Sequence, residues 1–310
     1  MGFYHTLGSQ SLRRFQWRQR VRCVLHCDGR QCEDHRSGSC QMATGNGPKN
    51  YDALYKQFES EIMRQVRREA YGEDIGQHSW VRAEDLEHDL ARLRLTDSAC
   101  LLDLGCGPCG PLEFVVRRVR CRCVGVDVSQ PALDAGGNRL ASAGLSGLFE
   151  LRQHDLNTHL PLGAASFDAV MSFDVILHLK DRVATFCEVA RVLKPGGRFL
   201  FTDAAVLVGA ISSEQVQARS IHGTTHLSSA DFSPNALETA GLRLLEAEDR
   251  TASLLRSARG RRRARDTRRP ELERLEGLEE FALEQRYLDT VITLAQTQTL
   301  SRWMYLSERV

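Results

Sequence analysis

No stretch of this 310-residue chain approaches the roughly 20 consecutive apolar residues that a membrane-crossing helix needs. Its N-terminus also lacks the compact apolar core of a secretory signal, so the expectation is a soluble, cytoplasmic protein. Net charge is nearly absent: 41 Lys and Arg against 40 Asp and Glu leave +1, without the basic excess of a dedicated nucleic-acid binder. The ten cysteines are not spaced like a small secreted disulfide scaffold. Six fall in apparent strands, helices and a glycine turn, where reduced, buried thiols are the default. The other four, Cys23, Cys27, Cys32 and Cys40, lie among His26 and His35. Their C-x3-C-x4-C-x7-C spacing matches no common zinc finger or ribbon, and no metal is expected.

Residues 1–49 read as a disordered or leader extension. "SLRRFQWRQRVRCVL" is arginine-rich without an acid, as in a mitochondrial presequence, and "GRQCEDHRSGSCQMATGNGPKN" after it has no periodicity. Met42 is a candidate natural start, because "MATGNGPKN" runs directly into a periodic segment. Residues 50–310 read as one domain. From Tyr51, the apolar residues Leu54, Phe58, Ile62 and Val66 recur every four positions, predicting an amphipathic helix that ends before Gly72. "AEDLEHDLARLRL" predicts a second helix, with acids at its positive end. Together these form a helical cap over 50–96.

Short apolar segments then alternate with helices. "ACLLDLG", "CRCVGVDVS", "LFELRQHDL", "SFDAVMSFD" and "GRFLFTDA" read as strands, with helices such as "RVATFCEVARVL" between several of them. That alternation implies right-handed βαβ units and a parallel sheet covered on both faces. "LRLLEAEDR" and "LSRWMYLSER" add two strands separated by long helices, making seven with an antiparallel edge. The segments at about 206–232 and 251–299 are expected to form a lid over an acceptor. Within the second, "RSARGRRRARDTRRPELERLEGLEEF" reads as a solvated helix face balanced by glutamates.

Function turns on "LLDLGCGPCGP", residues 101–111, which admits three readings. Gly105, Gly107 and Gly110 spell the G-x-G-x-x-G of a dinucleotide turn, and Cys106 to Cys109 spell a thioredoxin-like C-G-P-C. Asp103 supports the third: beside the turn it repels a pyrophosphate and attracts an ammonium group. In an open α/β sheet, ligands sit beyond the carboxyl ends of the strands. Asp127 ends the second strand, where a carboxylate accepts from a ribose diol, and Asp155 follows the third, where it can take an adenine amino group. Ammonium, ribose and adenine without phosphate describe S-adenosylmethionine (SAM). The two cysteines sit at a helix N-terminus, which admits lowered thiol pKa values and disulfide control of the turn, but the expectation is two inert core thiols.

These motifs in this order resemble the class I SAM-dependent methyltransferases: "LLDLGCGPCG", "VGVDVS", "QHDL" and "LKPGGRFLFTD". The resemblance spans roughly Tyr51 to Val310 and implies a Rossmann-like, doubly wound α/β fold with SAM as cofactor. It is nearest to the phosphoethanolamine and glycine/sarcosine/dimethylglycine N-methyltransferases, through "FDVILHL", "YGEDIGQHSW" and "SRWMYL". The cofactor contacts expected are Asp103, Gly105, Cys106, Gly107, Asp127, Val128, Asp155, Leu156, Ser172 and Phe173. Tyr71, Ser79 and Trp80 are expected to close over them.

Methyl transfer needs an aligned acceptor and the removal of one proton. His178, in the first turn after the fourth strand, is the candidate base, and Asp174 is expected to position the acceptor or balance its positive charge. Tyr55, Tyr51 or Tyr71 is the candidate partner of His178. Tyr55 and Arg219 are candidate acceptor contacts, Arg219 resembling the phosphate-binding arginine of phosphobase enzymes. Ala204 and Ile221 stand where those enzymes carry tyrosines, so the acceptor expected is a different small-molecule amine or hydroxyl compound, with no nucleic-acid partner. Two alternatives stay open: an NAD-dependent oxidoreductase on the same glycine turn, and a non-catalytic SAM-binding module that recruits RNA or protein through the arginine run.

Overall fold

A computed structural model describes residues 55, 57–221 and 223–310. The readings made on Cys23, Cys27, Cys32, Cys40, His26, His35, Met42, Tyr51 and Leu54 lie outside them. Two helices come first, α1 (Glu61–Tyr71) and α2 (Ala83–Leu93). The expected first helix starts late, after a turn at 57–59, and ends at Gly72, whose φ of +81° a side chain would resist.

The alternating part continues as β1 (Cys100–Leu104), α3 (Gly110–Val119), β2 (Arg122–Asp127), α4 (Gln130–Ser142), β3 (Phe149–Gln153), β4 (Phe167–Phe173), α5 (Arg182–Val192) and β5 (Leu193–Leu207). Side chains start several of these helices: Ser129 accepts from the Ala132 amide at α4, and Asp181 from the Ala184 amide at α5. The chain then runs through α6 (Ser213–Arg219), the two-residue β6 (Ser228–Ser229), α7 (Phe232–Thr239), β7 (Leu242–Asp249), α8 (Thr251–Thr267), α9 (Arg269–Glu276), α10 (Leu278–Gln296) and β8 (Leu300–Arg309).

Seven strands line up as β3-β2-β1-β4-β5-β8-β7, with β6 on the end of β5. The first five run parallel, and β8 runs antiparallel to both β5 and the outermost β7, which makes the antiparallel edge. Strand order reverses between β1 and β4, so the carboxyl ends of those strands open the ligand crevice. Alternating strand residues build two cores. Leu101, Met171, Leu200 and Met304 pack on the face covered by α2, α3 and α4, while Leu102, Val170, Phe199 and Phe201 pack under α5 and α7.

The helices beyond β7 close over this framework. Phe281, Ala264 and Leu272 pack with Val66 of α1, and a Cβ on Gly260 would run into the backbone of Ala70, so α1 and α8 touch main chain to main chain. The arginine run is less solvated than its composition predicts. Arg265 is buried against Glu276, Arg262 pairs with Asp289 at 2.9 Å, and Arg268 pairs with Glu69, although Arg259 and Arg263 remain exposed. Among the described residues no helix is long and apolar enough to cross a membrane.

Candidate active site

The glycine turn is pinned from below. The amides of Gly105 and Cys106 both donate to the Val126 carbonyl, at 2.8 and 3.1 Å, and the Gly107 amide donates to Asp127 Oδ2 at 2.8 Å. Gly105 and Gly107 have φ of +75° and +51°, the left-handed region that glycine enters without strain. Asp127 Oδ1 accepts from the Ser129 amide at 2.9 Å, so each carboxylate oxygen keeps acceptor capacity for one arm of a diol.

Asp103 is 2% exposed, and among the described residues no hydrogen bond reaches its carboxylate. Burial, with repulsion from Asp127 added, raises its pKa well above the usual carboxylate range. A buried carboxylate without a donor suits a cationic group, whereas a pyrophosphate here would meet two carboxylates. Asp155 is exposed and forms a turn in which Oδ1 accepts from the backbone and side chain of Asn157, at 2.9 and 2.8 Å. The Asn157 amide holds its pKa down. Leu156 is buried beside it and Val128 is exposed at the end of β2. These carboxylates are acceptors, and as a set they fit the groups of SAM that can donate: an ammonium, two ribose hydroxyls and an adenine amino group.

Two expected contacts behave differently. The Ser172 hydroxyl is fully buried and donates to the Leu104 carbonyl at 2.8 Å, so it props the end of β1 from behind. Cys106 is buried as well, and its thiol pKa is pushed up, first by its hydrogen bond with Cys109 and then by burial. No lowering by the helix terminus reaches Cys106: Cys109 occupies the α3 N-cap, and Cys106 precedes it by a turn in the apolar core.

At the end of β4, His178 closes a short 3-10 turn (Ile176–His178). Its Nδ1 lies 2.9 Å from the Thr224 carbonyl, which only accepts, so Nδ1 carries the proton and Nε2 is the basic nitrogen of the neutral ring. Asp174 departs from expectation. Oδ1 accepts from Arg302 Nε and the Thr202 hydroxyl, at 2.8 and 2.9 Å, and Oδ2 accepts from the Trp80 amide and Arg302 NH2, at 2.8 and 3.1 Å. With four donors on two oxygens, the carboxylate is committed within the protein, and the cation balancing it is Arg302 rather than an acceptor.

The cap and the later helices meet over this crevice. Tyr71 donates to the Ser79 carbonyl at 2.9 Å, and burial raises its pKa while Arg261 opposes that shift. The Trp80 ring stacks on Tyr287, with centroids 6.2 Å apart, and Arg261 lies 4.9 Å from its centroid. Tyr55 sits over the glycine turn, its hydroxyl 3.1 Å from where a Cβ on Gly107 would lie, and its ring packs edge-on against His78. Arg219 lies elsewhere, buried under α10, donating to the Tyr287 hydroxyl at 3.0 Å and the Ala204 carbonyl at 3.3 Å. Tyr55 and Arg219 thus belong to different walls. Arg302, Thr202, Arg261 and Tyr287 are additions that sequence reasoning missed. One signal was present for Arg302, a single charge inside the otherwise apolar strand "RWMYL".

Residues 102–201 match a family model described as a methyltransferase domain. Methyltransferase GfsG of Streptomyces halstedii is 33% identical over 164 residues, 51% of this chain and 58% of that protein. The 27-O-demethylrifamycin SV methyltransferase of Amycolatopsis mediterranei is 27% identical over 275 residues, 84% of this chain and 91% of that protein. Among solved structures, phosphoethanolamine N-methyltransferase 2 of Haemonchus contortus, bound to phosphomonomethylethanolamine and S-adenosylhomocysteine, shares the fold. Its TM-score is 0.69 at 18% identity, covering 83% of this chain and 59% of that one. The chain spans about half the length of several curated relatives it matches, 58% and 50% for two of them. The glycine turn and the three strand-end carboxylates all fall inside the family match, and residues 102–201 carry a methyltransferase domain.

Proposed function

We propose that the protein transfers the methyl group of SAM to a nitrogen or oxygen of a small-molecule acceptor, with His178 as general base. The observation that carries this reading is Asp103, a buried carboxylate beside the glycine turn that no donor among the described residues reaches. When bound, SAM supplies an electrophilic methyl on a sulfonium. The chain's own work is to hold the acceptor in line with that methyl and to take its proton, two effects that need no covalent enzyme intermediate. As the new bond to the methyl forms and the carbon–sulfur bond breaks, the acceptor's proton passes to Nε2 of His178. The Thr224 carbonyl supports this by fixing the tautomer.

The described residues 57–96 then act as a cap over the cofactor, and the segments at about 206–221, 223–232 and 251–299 as an acceptor lid. Arg219 and Tyr287 supply polar groups within that lid. Relatives named for a rifamycin derivative and for phosphoethanolamine support a small-molecule acceptor without choosing its atom.

The test begins with calorimetric titration of the reduced protein with S-adenosylhomocysteine (SAH) and, separately, NADH. SAH alone should bind, and Asp127→Ala should weaken it. Transfer from labelled SAM to a panel of amines, phenols and carboxylic acids comes next. His178→Gln should lower turnover by about 10²–10⁴ while leaving SAH affinity unchanged. Binding of NADH alone would instead assign the glycine turn to a dehydrogenase. Indifference of turnover to His178→Gln would remove the base.

A further inference from the structure

Arg302 is 1% exposed on β8, and its side chain reaches Asp174 at the carboxyl end of β4 and Thr202 within β5. Its contacts form one chain of polar groups. Nε and NH2 bind Asp174, NH2 also reaches the Thr202 hydroxyl at 3.2 Å, and Asp174 holds the amide of Trp80. From Trp80 the cap segment runs back to Gly76, whose carbonyl lies so close to Gly110 that a Cβ there would strike it. The segment is therefore anchored at both ends, on the first turn of α3 beside the glycine turn and on the Asp174–Arg302 pair.

The main chain of Arg302 is itself tied to the start of α8. Its amide donates to the Thr251 hydroxyl at 3.0 Å, and its carbonyl accepts from the Arg250 amide at 2.7 Å. NH1 is buried, with no hydrogen-bond partner among the described residues. Burying such a pair, with one donor unmet, is a poor way to gain stability compared with apolar packing. Position is what the pair supplies.

We propose that Arg302 is a positioning residue: by fixing the Asp174 carboxylate it holds the Trp80 amide, and so keeps residues 74–80 closed over the cofactor turn. This rests on the SAM-binding reading above, and the test separates the two. Hydrogen exchange is followed across residues 72–81 without ligand, and SAH affinity is measured by calorimetry, for Arg302→Met, Arg302→Lys, Thr202→Val and the wild type. Thr202→Val removes one bridging hydroxyl at nearly constant shape and decides the question alone if Arg302→Met does not fold.

The expected result is faster exchange confined to 72–81, while β1 and β4 stay protected. SAH dissociation constants should rise roughly tenfold or more for Arg302→Met and roughly threefold for Thr202→Val, with Arg302→Lys between them. A purely structural role would speed exchange everywhere and leave affinity unchanged in the folded variants. That outcome, or unchanged exchange and affinity in Thr202→Val, overturns the proposal. A wild type that fails to bind SAH overturns the cofactor reading, while the ligand-free exchange data still decide whether the latch exists.

Discussion

Asp103 offers a test in which stability and binding move in opposite directions. In the ligand-free protein its carboxylate is buried, without a donor and near Asp127, so its pKa lies above that of an unfolded chain. Below the usual carboxylate pKa both states hold the proton, and the residue costs nothing. As pH rises, the unfolded chain loses its proton first, and stability falls until the folded pKa is passed. Asp103→Asn removes that charging cost, which grows by about 1.4 kcal/mol per pH unit until the folded pKa is passed. At about 2–4 °C per kcal/mol for a domain of this size, Tm near neutral pH should rise by several degrees. The gain should fade toward pH 4.

The ammonium of SAM or SAH would supply the missing partner. A charge-assisted hydrogen bond contributes about 1.5–3 kcal/mol, so Asp103→Asn should weaken SAH roughly 10- to 150-fold. The same ammonium should also lower the pKa of Asp103 on binding. Calorimetry in two buffers of different ionisation enthalpy should therefore detect proton release by the wild type and none by the variant. Thermal melts with and without SAH complete the assay. An Asp103→Asn protein that melts lower than the wild type without ligand, or that binds SAH equally well, would refute the assignment.

Two further expectations concern the joints between layers. Burial raises Asp89 on α2 to about 6 even though Arg250 and Arg92 lie at 2.9 and 3.2 Å. Its folded pKa exceeds the unfolded one, so stability should fall by about 3 kcal/mol in all as pH rises from about 3 to about 7, most of it between the two pKa values. Urea unfolding of Asp89→Asn should lack that slope. At the contact of α1 with α8, Gly260→Ala should lower stability by about 1–3 kcal/mol, because its Cβ would meet the backbone of Ala70. Gly137→Ala in α4 serves as its control: its Cβ would lie 3.7 Å from Leu151, so helix propensity should raise Tm slightly. Both are read by thermal melts.

The sheet was legible because its signals are local. β1, β2 and β4 are short apolar runs buried on both faces, and the acids that close β2 and come after β3 fall at the ligand edge. The glycine turn was legible for the same reason: its backbone bonds link it to the neighbouring β2, about twenty residues on. Partners remote in sequence were not. Arg268 meets Glu69 across 199 positions and Arg256 meets Glu84 across 172, so a run that reads as solvated is pinned on one side by acids from the cap. Tyr55 lies over a turn some fifty residues away, a placement that no local signal gives.

Asp103 and Asp174 show what that distance does to a functional reading. Both lie at the ligand edge of adjacent parallel strands and read alike as carboxylates for a ligand. The chain sends Arg302 to Asp174 from 128 residues away, and no described residue brings a donor to Asp103. Neutralising each should therefore have opposite consequences. Asp174→Asn leaves a guanidinium that is 1% exposed without its counter-charge, a loss of about 3–5 kcal/mol when one partner of a buried pair is removed. The ligand-free Asp174→Asn protein should melt well below the wild type and the Asp103→Asn protein above it, in the same buffer at neutral pH. Equal shifts of the same sign would mean that the partner of Asp103 lies within the chain after all, and Asp103 would no longer support the proposed cofactor contact.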